Sequence, residues 1–216
     1  MIAYEYRKGG EQMIPYTILG LVAASILINF IVYKKLTKIS KEIKPSSISG
    51  EDMAQRILGE NQIHDIKIEK TDKVGDNYFH PIHKRIQLGP EVYGMKTIYS
   101  LTIGSHEACH AVDYNYFRFL NLKISKFKNF VFLPAFVLSF FVDVSWFQSC
   151  VLWSYVALVA FYFFVEVCDE LATNRRAYRA LEQFKGLSKD ELREVKKVQR
   201  VMNLTYLTSI PSSIVR

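Results

Sequence analysis

Residues 106–110 read His106-Glu107-Ala108-Cys109-His110, an HExxH pattern. It lies inside a stretch from Val92 to about Leu122 that turns helical in its periodicity and contains no proline. On a helix, residues i and i+4 share one face, so the two imidazoles can grip one ion from the same side. Glu107 stands beside them, where its carboxylate can reach a water on that ion. Zinc lowers the pKa of such a water to about 7, and the carboxylate takes the proton as the water attacks a carbonyl. The spacing therefore predicts Zn2+ held by His106 and His110, with Glu107 as the catalytic base. Cys109 reads as a small helix residue inside the motif, since no base is assigned to a thiol while Glu107 already has a role.

A catalytic zinc needs a third protein ligand and an open fourth position. Asp113 follows His106 by seven residues, almost on the same face, but lies roughly 10 Å further along an uninterrupted helix. It reads as a solvated group or one that hydrogen-bonds a ligand. Better candidates come later, in the helix-like run VEVCDELATNRRAYRAL: Glu166, Asp169 and Glu170. Glu166 and Glu170 share one face, so one can ligate while the other orients. Asn174, one turn beyond Glu170, can hydrogen-bond a ligand histidine. Tyr178 and Arg175 are candidates for stabilising a tetrahedral oxyanion. His64, His80 and His83 read as surface turn residues.

Between these two regions lies an apolar block, Phe130 to Val165, whose only charge is Asp143. It is too long for one membrane span and slightly short for two, which together want roughly 40 residues. The spacing predicts a helical hairpin over 127–165 with its tip near Asp143, the first leg tilted, shallow or re-entrant, and Pro134 able to kink it. Acids at the base of such a hairpin are costly unless employed. A second apolar stretch, Ile14 to Tyr33, is twenty residues without a charge, about 30 Å of helix and one bilayer core. It lacks a cleavage pattern and reads as an uncleaved anchor. After it come sixteen Lys/Arg between Lys34 and Lys128, whereas Arg7 and Lys8 before it are balanced by Glu5 and Glu11. The positive-inside rule then places residues 1–13 outside, and 34–126 and 166–216 in the cytoplasm, with the metal site facing the cytoplasm. His106 and Glu170 can meet only if the chain between them crosses the membrane an even number of times, and the charge pattern independently gives that answer.

The remaining polar chain has clear local signals. Pro45 to Gly50 is a linker, and Ser49 with Asp52 resembles a capping box that opens a helix of about ten residues with Met53, Ala54, Ile57 and Leu58 on its apolar face. Ile66 and Ile68 alternate with Asp65, Lys67 and Glu69; Ile86 and Leu88 alternate with Arg85 and Gln87. Both are strand signatures, separated by a turn-rich stretch from Asp72 to Pro81. Arg85 to Leu88 is expected to offer an edge for an extended substrate. The uncharged C-terminal stretch, Val201 to Val215, is too short to span and is expected to pack on the catalytic part or lie at the interface.

The chain has 216 residues, half of them hydrophobic, and a formal net charge of +7. That content excludes disorder, and three scattered cysteines exclude a disulfide scaffold. The basic excess is explained by membrane orientation, so nucleic acid is not an expected partner.

Taken together, the anchor, the strand and turn before Leu88-Gly-Pro-Glu-Val-Tyr93, HEACHAVD, the apolar hairpin, Glu170 with Arg175-Arg176-Ala177, and Asn203-Leu-Thr-Tyr-Leu-Thr208 resemble the YugP-like membrane proteins of the neutral zinc metallopeptidase family. The resemblance implies a gluzincin-type zinc peptidase whose third ligand is a glutamate on a later helix, Glu170 by its spacing to Arg-Arg-Ala. The chain departs from the family pattern at Ala172, where an acid is usual, and at His80-Pro81, where Asp-Pro is expected. The implied fold is mainly α with a small β element (α+β). It is a membrane-anchored, zincin-like metallopeptidase with HExxH on its active-site helix and an apolar hairpin before the third-ligand helix. The expected partners are a peptide or protein substrate and the lipid bilayer; the sequence is silent on oligomeric state. Two other readings are a catalytically silent, zinc-stabilised membrane scaffold and an intramembrane protease. The second would want HExxH within a spanning segment, whereas this helix carries Lys96, Asp113 and Arg118.

Overall fold

The computed structural model describes residues 27–208 apart from 29, 43, 113–115, 140 and 142–144. Most of the expected anchor, the hairpin tip at Asp143, Asp113 and the chain beyond 208 lie outside the described residues. The fold is mainly helical with one three-stranded sheet, the expected α+β arrangement.

Helix α1 runs over 30–41. Helix α2, Gly50–Glu60, starts where the sequence predicts: the Ser49 hydroxyl accepts from the Asp52 N–H at 3.1 Å. Met53, Ala54, Ile57 and Leu58 are all buried, so the predicted apolar face is the packed one. Helix α3, Ile98–Val112, carries the HExxH pattern and is buried continuously from Ile98 to Ala111. A helix covered on every side needs no amphipathic stripe, which is why apolar and small residues run all round it. It begins later than the sequence suggests. Pro90 to Gly94 form a turn, with Gly94 at φ +69°, and Pro45 bridges to Thr97.

α2 and α3 approach closely through two glycines. A Cβ on Gly104 would lie 2.1 Å from the Gly50 carbonyl oxygen, and one on Gly50 would lie 2.2 Å from that of Ser100. The Ser100 hydroxyl sits in the seam, accepting from the Gly50 N–H at 2.9 Å and donating to the Val92 carbonyl at 2.7 Å.

Beside α3 lies the sheet of β1 (Lys67–Lys70), β2 (Tyr78–His80) and β3 (Arg85–Leu88). β3 follows the alternation of the sequence, with Ile86 and Leu88 fully buried, whereas in β1 both Ile68 and Glu69 are half-buried between exposed Lys67 and Lys70. β2 falls in the stretch from Asp72 to Pro81 that reads as turn-rich. Three residues are too few to show a period, yet Phe79 points into the core between half-buried Tyr78 and His80. β3 is the central strand, parallel to β1 and antiparallel to β2. Its backbone is therefore paired on both sides, which corrects the expectation that Arg85 to Leu88 is an edge open to a substrate strand.

After α3 come α4 (Tyr116–Phe127), a π-helical turn (Lys128–Phe132) and α5 (Leu133–Ser139). The π turn ends two residues before Pro134, and a wide turn there relieves the clash of a proline ring with the preceding turn. α4 and α5 pack on α6, Ser145–Gln183, a single helix of 39 residues, about 58 Å long. α6 contains the segment, among the described residues, that is long and apolar enough to cross a membrane. Trp153, Val156, Phe161 and Phe164 project outward from it. Its far end turns inward, with Ala177 and Leu181 buried in the main core. Helix α7, Lys189–Thr208, opens with a reciprocal cap: Glu191 N–H to the Ser188 hydroxyl, and Ser188 N–H to the Glu191 carboxylate at 2.7 Å. Val195, Val198, Val201 and Met202 bury its inner face, and Tyr206 packs partly buried against the same core.

Candidate metal centre

The inner end of α6 crosses α3 where the motif lies, and the two helices bring three donor atoms together. His106 Nε2 and His110 Nε2 are 3.0 Å apart, and Glu170 Oε2 is 3.1 Å from the first and 3.3 Å from the second. Four-residue spacing on α3 supplies the histidine pair, and α6 supplies the carboxylate from 60 residues away in sequence. Among the described residues this is the one group of three or more His, Cys, Asp or Glu side chains that could hold a metal ion. Glu166 and Asp169 are on the same helix but contribute no atom to it. The His80 ring at the end of β2 and the His83 ring in the following turn lie 4.3 Å apart, tilted at 46°, and recruit no third ligand among the described residues.

Two features fit the cluster to a cation. A tetrahedral zinc with bonds of about 2.0–2.1 Å holds its ligand atoms roughly 3.3 Å apart, close to the observed triangle. The donor chemistry agrees. His106 Nδ1 faces the Asn174 Oδ1, an acceptor, at 2.9 Å, so Nδ1 carries the proton and Nε2 presents a lone pair to the centre. His110 Nδ1 faces the Thr173 hydroxyl, a group that can donate or accept, at 3.4 Å. Two imidazole nitrogens 3.0 Å apart, beside a buried carboxylate oxygen that makes no hydrogen bond, form a cluster that a cation, or in its absence a proton, holds together.

The surroundings hold this geometry. The Asn174 amide donates to Asn203 Oδ1 at 2.6 Å, which fixes which end of the amide faces His106. Gln199 Nε2 donates to the Asn174 carbonyl at 2.8 Å. Asn174 thus does what its position one turn after Glu170 suggests, whereas Thr173 and Gln199 carry no local pattern that would have singled them out, and Asn203 enters only as the first residue of the Asn203 to Thr208 stretch. Glu107 is buried, 7% exposed, on the same helix as the histidines. Burial drives the His106 imidazole toward its neutral form; the carboxylates of Glu170 and Glu107 and the Asn174 hydrogen bond outweigh it, and without metal its pKa is raised.

A residue absent from the sequence reading also reaches the cluster. The Tyr206 hydroxyl is 3.2 Å from His106 Nε2. Burial pushes its pKa well above the ordinary phenol value, and the charges of Glu170 and Glu107 push the same way, so it is a protonated donor at neutral pH. Its only sequence signal is membership of the Asn203 to Thr208 stretch. Arg175 and Tyr178, the expected oxyanion donors, instead line a cleft of about 420 Å³ between α6 and α7, where the Lys196 ammonium lies 4.5 Å from the Tyr178 ring. Cys109 is buried, and burial pushes its thiol up to about 12, consistent with a packing role.

The comparisons with known proteins agree with this chemistry. Over 96 residues the chain is 26% identical to "Putative membrane protease YugP" of Bacillus subtilis (strain 168). That match takes in 44% of this chain and 43% of that protein, so this chain spans less than half of the relative's length. No solved structure matches. The model of the family described as "Putative neutral zinc metallopeptidase" matches residues 14–216. With its HExxH helix and a later glutamate meeting at one point, the chain belongs to this neutral zinc metallopeptidase family.

Proposed function

We propose that this chain is a membrane-embedded, zinc-dependent peptidase in which His106, His110 and Glu170 hold the metal and Glu107 is the general base. The observation that carries the reading is the triangle of three donor atoms 3.0–3.3 Å apart, with Glu107 one residue from a ligand. A zinc ion there supplies Lewis acidity toward water and toward a peptide carbonyl. Glu107 accepts the proton released as water adds to the carbonyl and returns it to the departing amine. Asn174 holds His106 in the tautomer that leaves Nε2 bare, and the Thr173 hydroxyl supports the far nitrogen of the His110 ring. The Tyr206 hydroxyl donates a hydrogen bond to the carbonyl oxygen as negative charge builds on it.

The apolar, outward-facing half of α6 and the likeness to a membrane protease support an integral membrane location. The distribution of lysine and arginine supports a cytoplasmic site.

The test pairs zinc content with hydrolysis of a fluorogenic peptide library, using the full chain in detergent or nanodiscs. Glu107→Gln is expected to keep zinc and lose about 10²–10⁴-fold in rate. Hydrolysis that survives this change with zinc bound would overturn the mechanism. Glu170→Ala is expected to lower zinc binding; zinc retained in that variant would move the third ligand to Glu166 or Asp169. Wild type that binds zinc stoichiometrically and cleaves nothing in the library would favour the silent scaffold.

A further inference from the structure

Away from the metal, α1 and α7 enclose a cleft of about 490 Å³. Its floor is apolar, formed by Ile39, Ile98, Tyr99, Val198 and Val201. Its walls carry five cations, Lys35, Lys38, Lys44, Lys197 and Arg200, against two acids, Glu42 and Glu194. Glu194 pairs with both Lys44 and Lys197, and these two lysines hold its carboxyl below the usual range. Lys35, Lys38 and Arg200 make no ion pair among the described residues, and all three are exposed. The cleft therefore has an excess of positive charge directed into a concave space.

Its position narrows what that charge is for. Lys35 lies two residues after Tyr33; Phe30, Ile31 and Tyr33 of the same helix, and Leu27 and Ile28 before it, are all exposed apolar side chains. The cleft thus opens within about one helical turn of an apolar surface. A group seated there would meet cations around a polar head and apolar side chains beside it. Phosphate on an anionic phospholipid has that combination, and an acidic peptide has only the first half of it.

We propose that this cleft is a binding site for the phosphate headgroup of an anionic phospholipid, held by Lys35, Lys38 and Arg200, with the acyl chains lying along the exposed face of α1. The inference is independent of catalysis, because none of these residues touches the metal cluster. It gives the basic segment after the anchor a specific ligand in addition to its part in orientation.

The experiment is native mass spectrometry of the full chain released from mixed micelles of phosphatidylcholine and phosphatidylglycerol in equal amounts. Wild type is expected to retain phosphatidylglycerol preferentially. Lys35→Gln/Lys38→Gln/Arg200→Gln is expected to lose that preference, by on the order of five-fold in relative affinity for each cation removed. Single Arg200→Gln should show a partial loss and guards against a triple variant that fails to fold. Lys67→Gln/Lys70→Gln/Lys73→Gln, on and beside β1, removes the same charge elsewhere and should leave the preference intact. An equal loss in that control would reduce the effect to net charge and overturn the site. Glycerol 3-phosphate and a polyglutamate peptide are added as soluble competitors. Displacement of the lipid by glycerol 3-phosphate at matched concentration would reassign the cleft to free phosphate, and displacement by polyglutamate to an acidic peptide; either overturns the lipid assignment.

Discussion

His106 is held at both of its nitrogens, by Asn174 on one side and the donor cluster on the other, and this double constraint makes Asn174 testable apart from the ligands. Asn174→Ala removes the acceptor that fixes the imidazole tautomer but leaves all three donor atoms in place. Zinc affinity, measured by competition with a chelator, is expected to fall about 10–100-fold. Asn203→Ala frees the Asn174 amide to flip and should act in the same direction with a smaller effect. Tyr206→Phe separates differently: zinc binding should stay near wild type while kcat falls on the order of 10²-fold, as expected for a lost oxyanion donor. Unchanged kcat in that variant would leave the phenol as packing. The histidine pair and Glu107 were legible because their geometry is set by helical periodicity over five residues. Tyr206 was not, because it reaches His106 across 100 residues of chain, and no local pattern encodes that contact.

Among the elements, α3 positions the site, and its seam with α2 is built on the absence of side chains. Gly104→Ala puts a methyl group against the Gly50 carbonyl, a backbone atom that cannot rotate away. The helices must separate, and a loss of about 1–3 kcal/mol is expected in thermal or denaturant unfolding. Gly59→Ala, on the facing helix α2 with open space around its Cβ position, is the control and should be neutral or slightly stabilising. The helix and strand identities were mostly readable: Ser49 capping α2, the apolar face of α2, and the alternation in β1 and β3. Strand order was not. β1 and β3 come forward as two strands, but whether one has a free edge depends on what lies beside it, and β2 is too short to show a period. The start of α3 was likewise obscured, because Val92 and Tyr93 continue the apolar pattern through a turn that Gly94 makes possible.

At the scale of the whole molecule, hydrophobicity and charge are segregated rather than mixed. The lower half of α6 carries exposed aromatic and aliphatic side chains, and its upper half enters the core that holds Glu170. One helix therefore links the exposed apolar segment to the His106, His110 and Glu170 donor cluster. The sequence showed the two regions but divided them at Val165, because composition changes there; the backbone continues without a break to Gln183. Which side of a membrane the site faces is a matter of charge, and it yields a direct prediction. In a background with Cys109, Cys150 and Cys168 replaced by alanine, Lys73→Cys stands in the polar part and Asp143→Cys at the centre of the expected tip. With 16 cationic residues between Lys34 and Lys128 and a nearly chargeless hairpin, reversing the orientation would move that whole set across the bilayer. A membrane-impermeant maleimide applied to intact cells should label Asp143→Cys, and should label Lys73→Cys only after the membrane is opened. The reverse pattern would place the metal outside. Labelling of both positions in intact cells would mean that the 127–165 segment does not carry its tip across, and that α6 enters the bilayer without passing through it.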